Sequence, residues 1–368
     1  MKKTLLALTV AAFAAGSAQA YKFNIEETGT EIDFSGSLRL KWESTSNKTN
    51  YVNGAETKEH INHAVDNNGS RFGFKVKQNL GGDFYALGRV EWRFRGEAAS
   101  QHDFDHIYTR QLYAGFGHKR FGELVYGNMT TITDEVKQTD LPNTYSLSDG
   151  LLDYAARRVL QYTYRGNYGD NKVKFGVYYG GASKRGDTNL DLTNHRKNVW
   201  GTAFIFNHKI DDIQNFTVAT GFTREISENQ SIAPSYSQNA YALGLAYNFA
   251  HTTYGLDIEQ QVTKNKGAIG NKQTKNEVRA VVRQGLNEDW NVYAMYAYKT
   301  DKNEPASGLE TKTIKRQFMV GTEYYVYQQG SLKVKPFLEW QATRTKYENS
   351  SIDRSRDLKT VIGLRAYW

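Results

Sequence analysis

Residues 31–46 read EIDFSGSLRLKWESTS, and they decide the fold. Phe34, Gly36, Leu38, Leu40 and Trp42 fall on one side of an extended chain, with Asp33, Ser37, Arg39, Lys41 and Glu43 on the other. Side chains alternate across a strand, so one face is apolar and the opposite face is charged. The pattern recurs over Ser70 to Leu80, where Phe72, Phe74 and Val76 oppose Arg71, Lys75 and Lys77. It recurs again over Phe84 to Glu97, where Val90, Trp92 and Phe94 oppose Arg89, Glu91, Arg93 and Arg95.

Continued to the carboxyl end, this reading predicts sixteen strands in all. Short turns such as 211–214 and 287–289 alternate with long polar connections such as 184–197 and 301–313. An up-and-down topology gathers the short turns at one end and the long loops at the other. That asymmetry, with apolar-out and polar-in alternation, is expected of a transmembrane β-barrel, the one sheet form that satisfies every backbone group in lipid. The predicted fold class is therefore all-β, a sixteen-stranded antiparallel barrel. Pro336 lies within the fifteenth strand, where proline removes a ladder donor, so a bulge or local break is expected there.

The first twenty residues carry Lys2 and Lys3, an apolar run from Thr4 to Ala15 and the small-x-small site Ala18-Gln19-Ala20. This is the pattern of a cleaved export signal, too short for a spanning helix. Residues 21–368 show no linker or change of composition and are expected to form one pore domain. Cysteine is absent, whereas Tyr occurs 25 times and Gly 32 times, which suits short strands and tight turns stabilised by a closed hydrogen-bonded ring. The formal charge of +8 could suggest nucleic acid, but an export signal and bases scattered along strands argue against it.

One connection departs from the rest. Residues 128–155, NMTTITDEVKQTDLPNTYSLSDGLLDYA, form a long segment with acids, buried-type leucines and a turn-setting proline. Loops of this length inside a compact domain are usually functional. The segment carries Asp134, Glu135, Asp140, Asp149 and Asp153 against the single base Lys137, and it runs into Arg157 and Arg158. A loop folded inward would set these acids against bases on the surrounding wall. Opposed charges across a narrow channel create a transverse field that orients water and polar solutes.

Sixteen strands, an inward loop after the fifth and a terminal aromatic, Trp368, resemble the trimeric general porins of Gram-negative outer membranes. The Tyr-rich strands and basic fourth loop are similar to the major porins of the Haemophilus and Pasteurella group. SRFGFKV at 70–76 and YTRQLYAGF at 108–116 resemble segments carrying constriction arginines, which fall on Arg71 and Arg110. A third is implied at Arg157 or Arg158, and counting along the alternation favours Arg157. With Arg39 and Arg93 these make the expected basic wall, while Asp134, Glu135, Asp140 and Asn143 make the expected loop side. Asn143 follows Pro142 where relatives carry an acid, which would weaken cation preference if it faced the pore. Ser37 stands where the usual lysine of the first strand would be.

The resemblance implies a water-filled channel for passive diffusion of ions and small hydrophilic solutes. It implies a homotrimer among lipid and lipopolysaccharide, without metal or cofactor. The Gly, Ala and Tyr faces of strands four and five would then bury against neighbouring copies. A substrate-specific channel is the alternative, and would be expected to show an aromatic ladder or a continuous basic stripe. An enzyme is not expected, because the eight histidines sit in loops and turns and none belongs to a GxSxG or HExxH motif.

Overall fold

The computed structural model describes residues 21–95, 104, 106–183, 195–229 and 235–368. Its first six barrel strands are β1 Thr30–Tyr51, β2 Arg71–Gly81, β3 Phe84–Arg95, β4 His106–His118, β5 Gly122–Thr130 and β6 Ala155–Tyr168. They are followed by β7 Asn171–Gly180, β8 Arg196–Lys209, β9 Gln214–Ser227, β10 Tyr236–Phe249 and β11 Thr252–Lys264. The last five are β12 Lys272–Gly285, β13 Trp290–Glu304, β14 Thr311–Tyr324, β15 Leu332–Glu348 and β16 Ile352–Tyr367. Each pairs antiparallel with the next, and β16 returns to β1 from Tyr51↔Ile352 to Ser37↔Tyr367, so the described residues close a sixteen-stranded barrel. The predicted export signal lies outside the described residues, as does most of the predicted 184–197 connection.

Short pieces finish the two rims. Tyr21–Ile25 pairs with the start of β1, next to the point where Gly36 and Trp368 exchange backbone hydrogen bonds of 2.9 and 3.2 Å. Glu56–Asn62 folds back on the upper half of β1, from Ser44↔Asn62 to Asn50↔Glu56. At Pro336 the ladder to β16 runs unbroken, but the ladder to β14 stops at Glu323↔Phe337. It resumes as Tyr327↔Val334, one residue out of step, so the missing donor coincides with a break.

The outward face is apolar. Phe116, Leu124, Leu338, Ile362 and Phe318 are all exposed there, a belt that suits hydrocarbon. The wall is shortest at β5, with 9 residues, against 17 in β15. The packed apolar interior lies inside the barrel and comes from the long connection. Met129, Ile132, Val136 and Leu152 pack on Val159, Tyr178, Val199 and the small Ala203, Ala219 and Ala240. Farther round, Leu141, Tyr145 and Leu147 meet Val281, Met295, Met319, Phe337 and Val361.

Candidate functional site: a charged waist

The connection after β5 starts with a short 3-10 turn, Ile132–Val136, and crosses the lumen to the opposite wall. Glycines let its backbone come close. A Cβ at Gly244 would lie 2.0 Å from the Val136 carbonyl oxygen, and one at Gly255 would lie 2.5 Å from that of Gln138. Larger residues at either position would push the loop off the wall.

Acids from the wall hold the loop by its backbone. The Asn143, Thr144 and Tyr145 N–H groups donate to the Glu339 carboxyl at 2.5, 3.0 and 3.0 Å, and the Tyr293 hydroxyl donates to it at 2.9 Å. Gln138 and Thr139 N–H donate to Asp257 at 2.8 and 3.1 Å. Asp257 and Glu259 also pair with the buried Arg279 at 2.9 and 2.7 Å. Farther along, Lys299 pairs with Asp149 at 2.6 Å, and the Tyr145 hydroxyl donates to Glu43 on β1 at 3.0 Å.

The loop thus hugs β7 to β15 and leaves open a cleft of about 570 Å3 between itself and β2 to β6. Arg71, Arg89, Arg93 and Arg110 line one side of it, and Asp134, Glu135 and Asp140 the other. Glu91, buried in the arginine wall, accepts from Arg89 and Arg93 at 3.0 Å each and lies 3.7 Å from Arg71. Gln111 donates to the same carboxylate at 2.9 Å. Arg39 stands beside Arg71 and donates to the Ser37 hydroxyl at 2.9 Å.

On the loop side, Asp134 pairs with Lys137 at 2.8 Å, and Lys174 from β7 pairs with Glu135. Lys137 also sits 4.2 Å over the Tyr154 ring. Burial by itself would lower the Lys137 pKa, but Asp134 and then Asp140 reverse this, so it stands above its ordinary value. Arg110 and Asp140 make no side-chain hydrogen bond or ion pair with another described residue. These two charges face the cleft without a direct ion pair.

Three expected site residues lie elsewhere. Arg157 is on the inward face, as the alternation implied, yet it is buried at the root of the loop and its carbonyl accepts from Arg196 at 2.7 Å. Arg158 is corrected outright: it has φ +54°, is exposed, and shares the outward face with Leu160. The bulge between Gly127 and Met129 accompanies it, with the Arg158 N–H donating to Asn128 at 3.1 Å. Asn143 is corrected as well. Only 3% exposed, it points into the wall, where its amide donates to Glu323 at 2.8 Å and to the Tyr293 hydroxyl at 3.0 Å. An acid following Pro142 would bring a third carboxyl into a pocket already holding two, so an amide donor is the residue that fits there.

In the sequence Glu91 is one member of a charged face, and only the fold makes it the centre of the arginine wall. Glu323 and Glu339 likewise become docking acids only through the loop that reaches them. A detectable signal was present, because Val281, Met295, Met319 and Phe337 are apolar residues at inward positions of strands whose inward face should be polar.

A family model for Gram-negative porins matches residues 7–327. The chain belongs to the Gram-negative porin family. The porin is 28% identical to the major outer membrane protein of Pasteurella multocida (strain Pm70), over the full length of both chains. In structure it is similar to the trimer form of the outer membrane protein OmpT of Vibrio cholerae, with TM-score 0.60 and 15% identity. That match covers 92% of this chain and 99% of the other. It is also similar to the anion-selective porin of Comamonas acidovorans, with TM-score 0.61 and 14% identity over 92% of this chain and 100% of that one. Family, relatives and barrel together make this an outer-membrane diffusion channel.

Proposed function

We propose that passage of ions and small hydrophilic solutes is filtered electrostatically at the waist. Arg39, Arg71, Arg93 and Arg110 supply one pole, and Asp134, Glu135 and Asp140 the other. The observation that carries this reading is the pair Arg110 and Asp140, which line one cleft without a direct ion pair. Water and polar solutes align in such a field, whereas apolar solutes would have to displace oriented water. The channel works as a homotrimer among lipid and lipopolysaccharide, catalyses no reaction, and is one domain after removal of its export signal. Support for the trimer comes from the low wall at β5, whose exposed Leu124 and Tyr126 a neighbouring copy would cover, and from the trimer form of the Vibrio protein.

The test is the reversal potential of purified protein in planar bilayers under a salt gradient. A unit charge about 4 Å from a permeating ion is worth about 1 kcal/mol in bulk-like water, so single substitutions should shift permeability ratios severalfold. Arg110→Gln should move the potential toward cations and Asp140→Asn toward anions. Both shifts should shrink near 1 M salt, where screening falls to about 3 Å. Shifts of the same sign, or none at low salt, would remove these residues from the filter. The substrate-specific alternative predicts saturable block of the current by one class of solute.

A further inference from the structure

The outer face of the barrel carries a second concentration of charge, well away from the waist. Arg316 of β14 pairs in register with Arg344 of β15, Arg344 with Arg356 of β16, and Arg356 with Lys48 of β1. Four cations therefore stand side by side in one rung across four adjacent strands. One rung toward the rim, Lys346 pairs with Arg354. Like charges directly opposite on neighbouring strands repel, so such a row needs compensation. Lys48 has Glu56 at 2.5 Å and Arg354 has Asp353 at 2.7 Å. Arg316, Arg344 and Arg356 are exposed and have no ion pair or side-chain hydrogen bond among the described residues.

Position along the strands identifies what would compensate them. The row is on the outward face, at the end where β1 runs into its long loop. Directly below it on the same face lie Phe318, Leu358, Val320 and Trp340. The row borders a cleft of about 620 Å3 and is about 14 Å long, three strand spacings. Several anionic groups of one headgroup can therefore be bound together, with acyl chains against the apolar residues beneath. A free anion would gain nothing from that apolar surface.

We infer that Arg316, Arg344, Arg356 and Lys48 form a binding site for the phosphorylated headgroup of lipopolysaccharide in the surface-facing leaflet. This rests on the lipid surroundings proposed above and adds the place and the chemistry of the contact. Guanidinium groups suit it, since they bind phosphate through paired N–H donors.

The test extracts the porin from outer membranes in mild detergent and measures bound lipopolysaccharide per chain, then rebinding of purified lipopolysaccharide with or without its phosphates. The parent chain should retain it, and the triple variant Arg316→Gln, Arg344→Gln, Arg356→Gln should retain about fivefold less or lower still. Conductance and trimer content should match the parent, because no waist residue is touched. Should the triple variant fail to insert, the parent still decides the matter, since phosphate-free lipopolysaccharide should bind it correspondingly weakly. Equal retention by parent and variant, or equal binding with and without phosphates, overturns the site. Full displacement by millimolar inorganic phosphate overturns the lipid as ligand, and loss of trimers at unchanged retention makes the row a subunit contact instead. No retention by parent or variant would overturn the lipopolysaccharide reading beneath it.

Discussion

The two sides of the lumen use acidic residues in opposite ways. On the wall of β11 to β15, Asp257 and Glu339 receive backbone N–H groups of the crossing loop and are sealed beneath it. On the wall of β1 to β4, Glu91 receives neighbouring arginines, and the surface stays open to water. The first arrangement fixes a backbone, and the second spaces cations at the edge of a channel. Inward-facing charge is therefore no guide to function until its partner is known.

Breaking the sealed side should have the largest effect. Glu339→Ala leaves three backbone donors without an acceptor, and each buried unpaired group costs roughly 1–3 kcal/mol. The loop should detach, giving higher and noisier single-channel conductance and new protease cleavage between Thr131 and Tyr154. Parent-like conductance and protease resistance would show that the apolar contacts hold the loop unaided.

Asn143→Asp sharpens the comparison with an isosteric change on the same side. Its two amide hydrogen bonds are lost and a third carboxyl joins Glu323 and Glu339, so the thermal midpoint should fall by an amount in line with about 2 kcal/mol or more. Ion preference should stay at the parent value while the loop remains seated. A shift toward cations at unchanged thermal stability would return Asn143 to the lumen. The smallest effect is expected from Arg158→Ala. This arginine faces outward, and an exposed substitution of that kind stays within about 0.5 kcal/mol. Reversal potential should not move, and a shift as large as that of Arg110→Gln would place Arg158 in the waist after all.

The barrel was legible because lipid imposes alternation residue by residue, and all sixteen strands fall where that alternation runs. Their ends were less so. β1 continues to Tyr51, β13 to Glu304, and β16 begins at Ile352. These tips rise above the apolar belt, where both faces are polar and period two leaves no trace. At the waist, Arg110 has the parity of the outward Leu112 and reaches the cleft only through the bulge beside Glu91 and Trp92, whereas Arg71 and Arg93 could be read because parity alone aims a strand residue. Asn143 could not, since an irregular loop has no parity and its orientation depends on Glu323 and Glu339, nearly two hundred positions later. Arg158 follows the count outward, next to the inward Arg157, and its positive φ marks the irregularity where the loop joins β6.

The partners of the crossing loop also constrain the order of assembly. Gln138 waits for Asp257, 119 positions downstream, and Asn143 waits for Glu339, 196 positions downstream. Contacts this distant form slowly. Thr131 to Tyr154 must therefore lie on the inner side of the sheet before β16 pairs with β1. Once that seam has zipped, every gap in the wall is gone, and a loop left outside could enter only by unpairing strands.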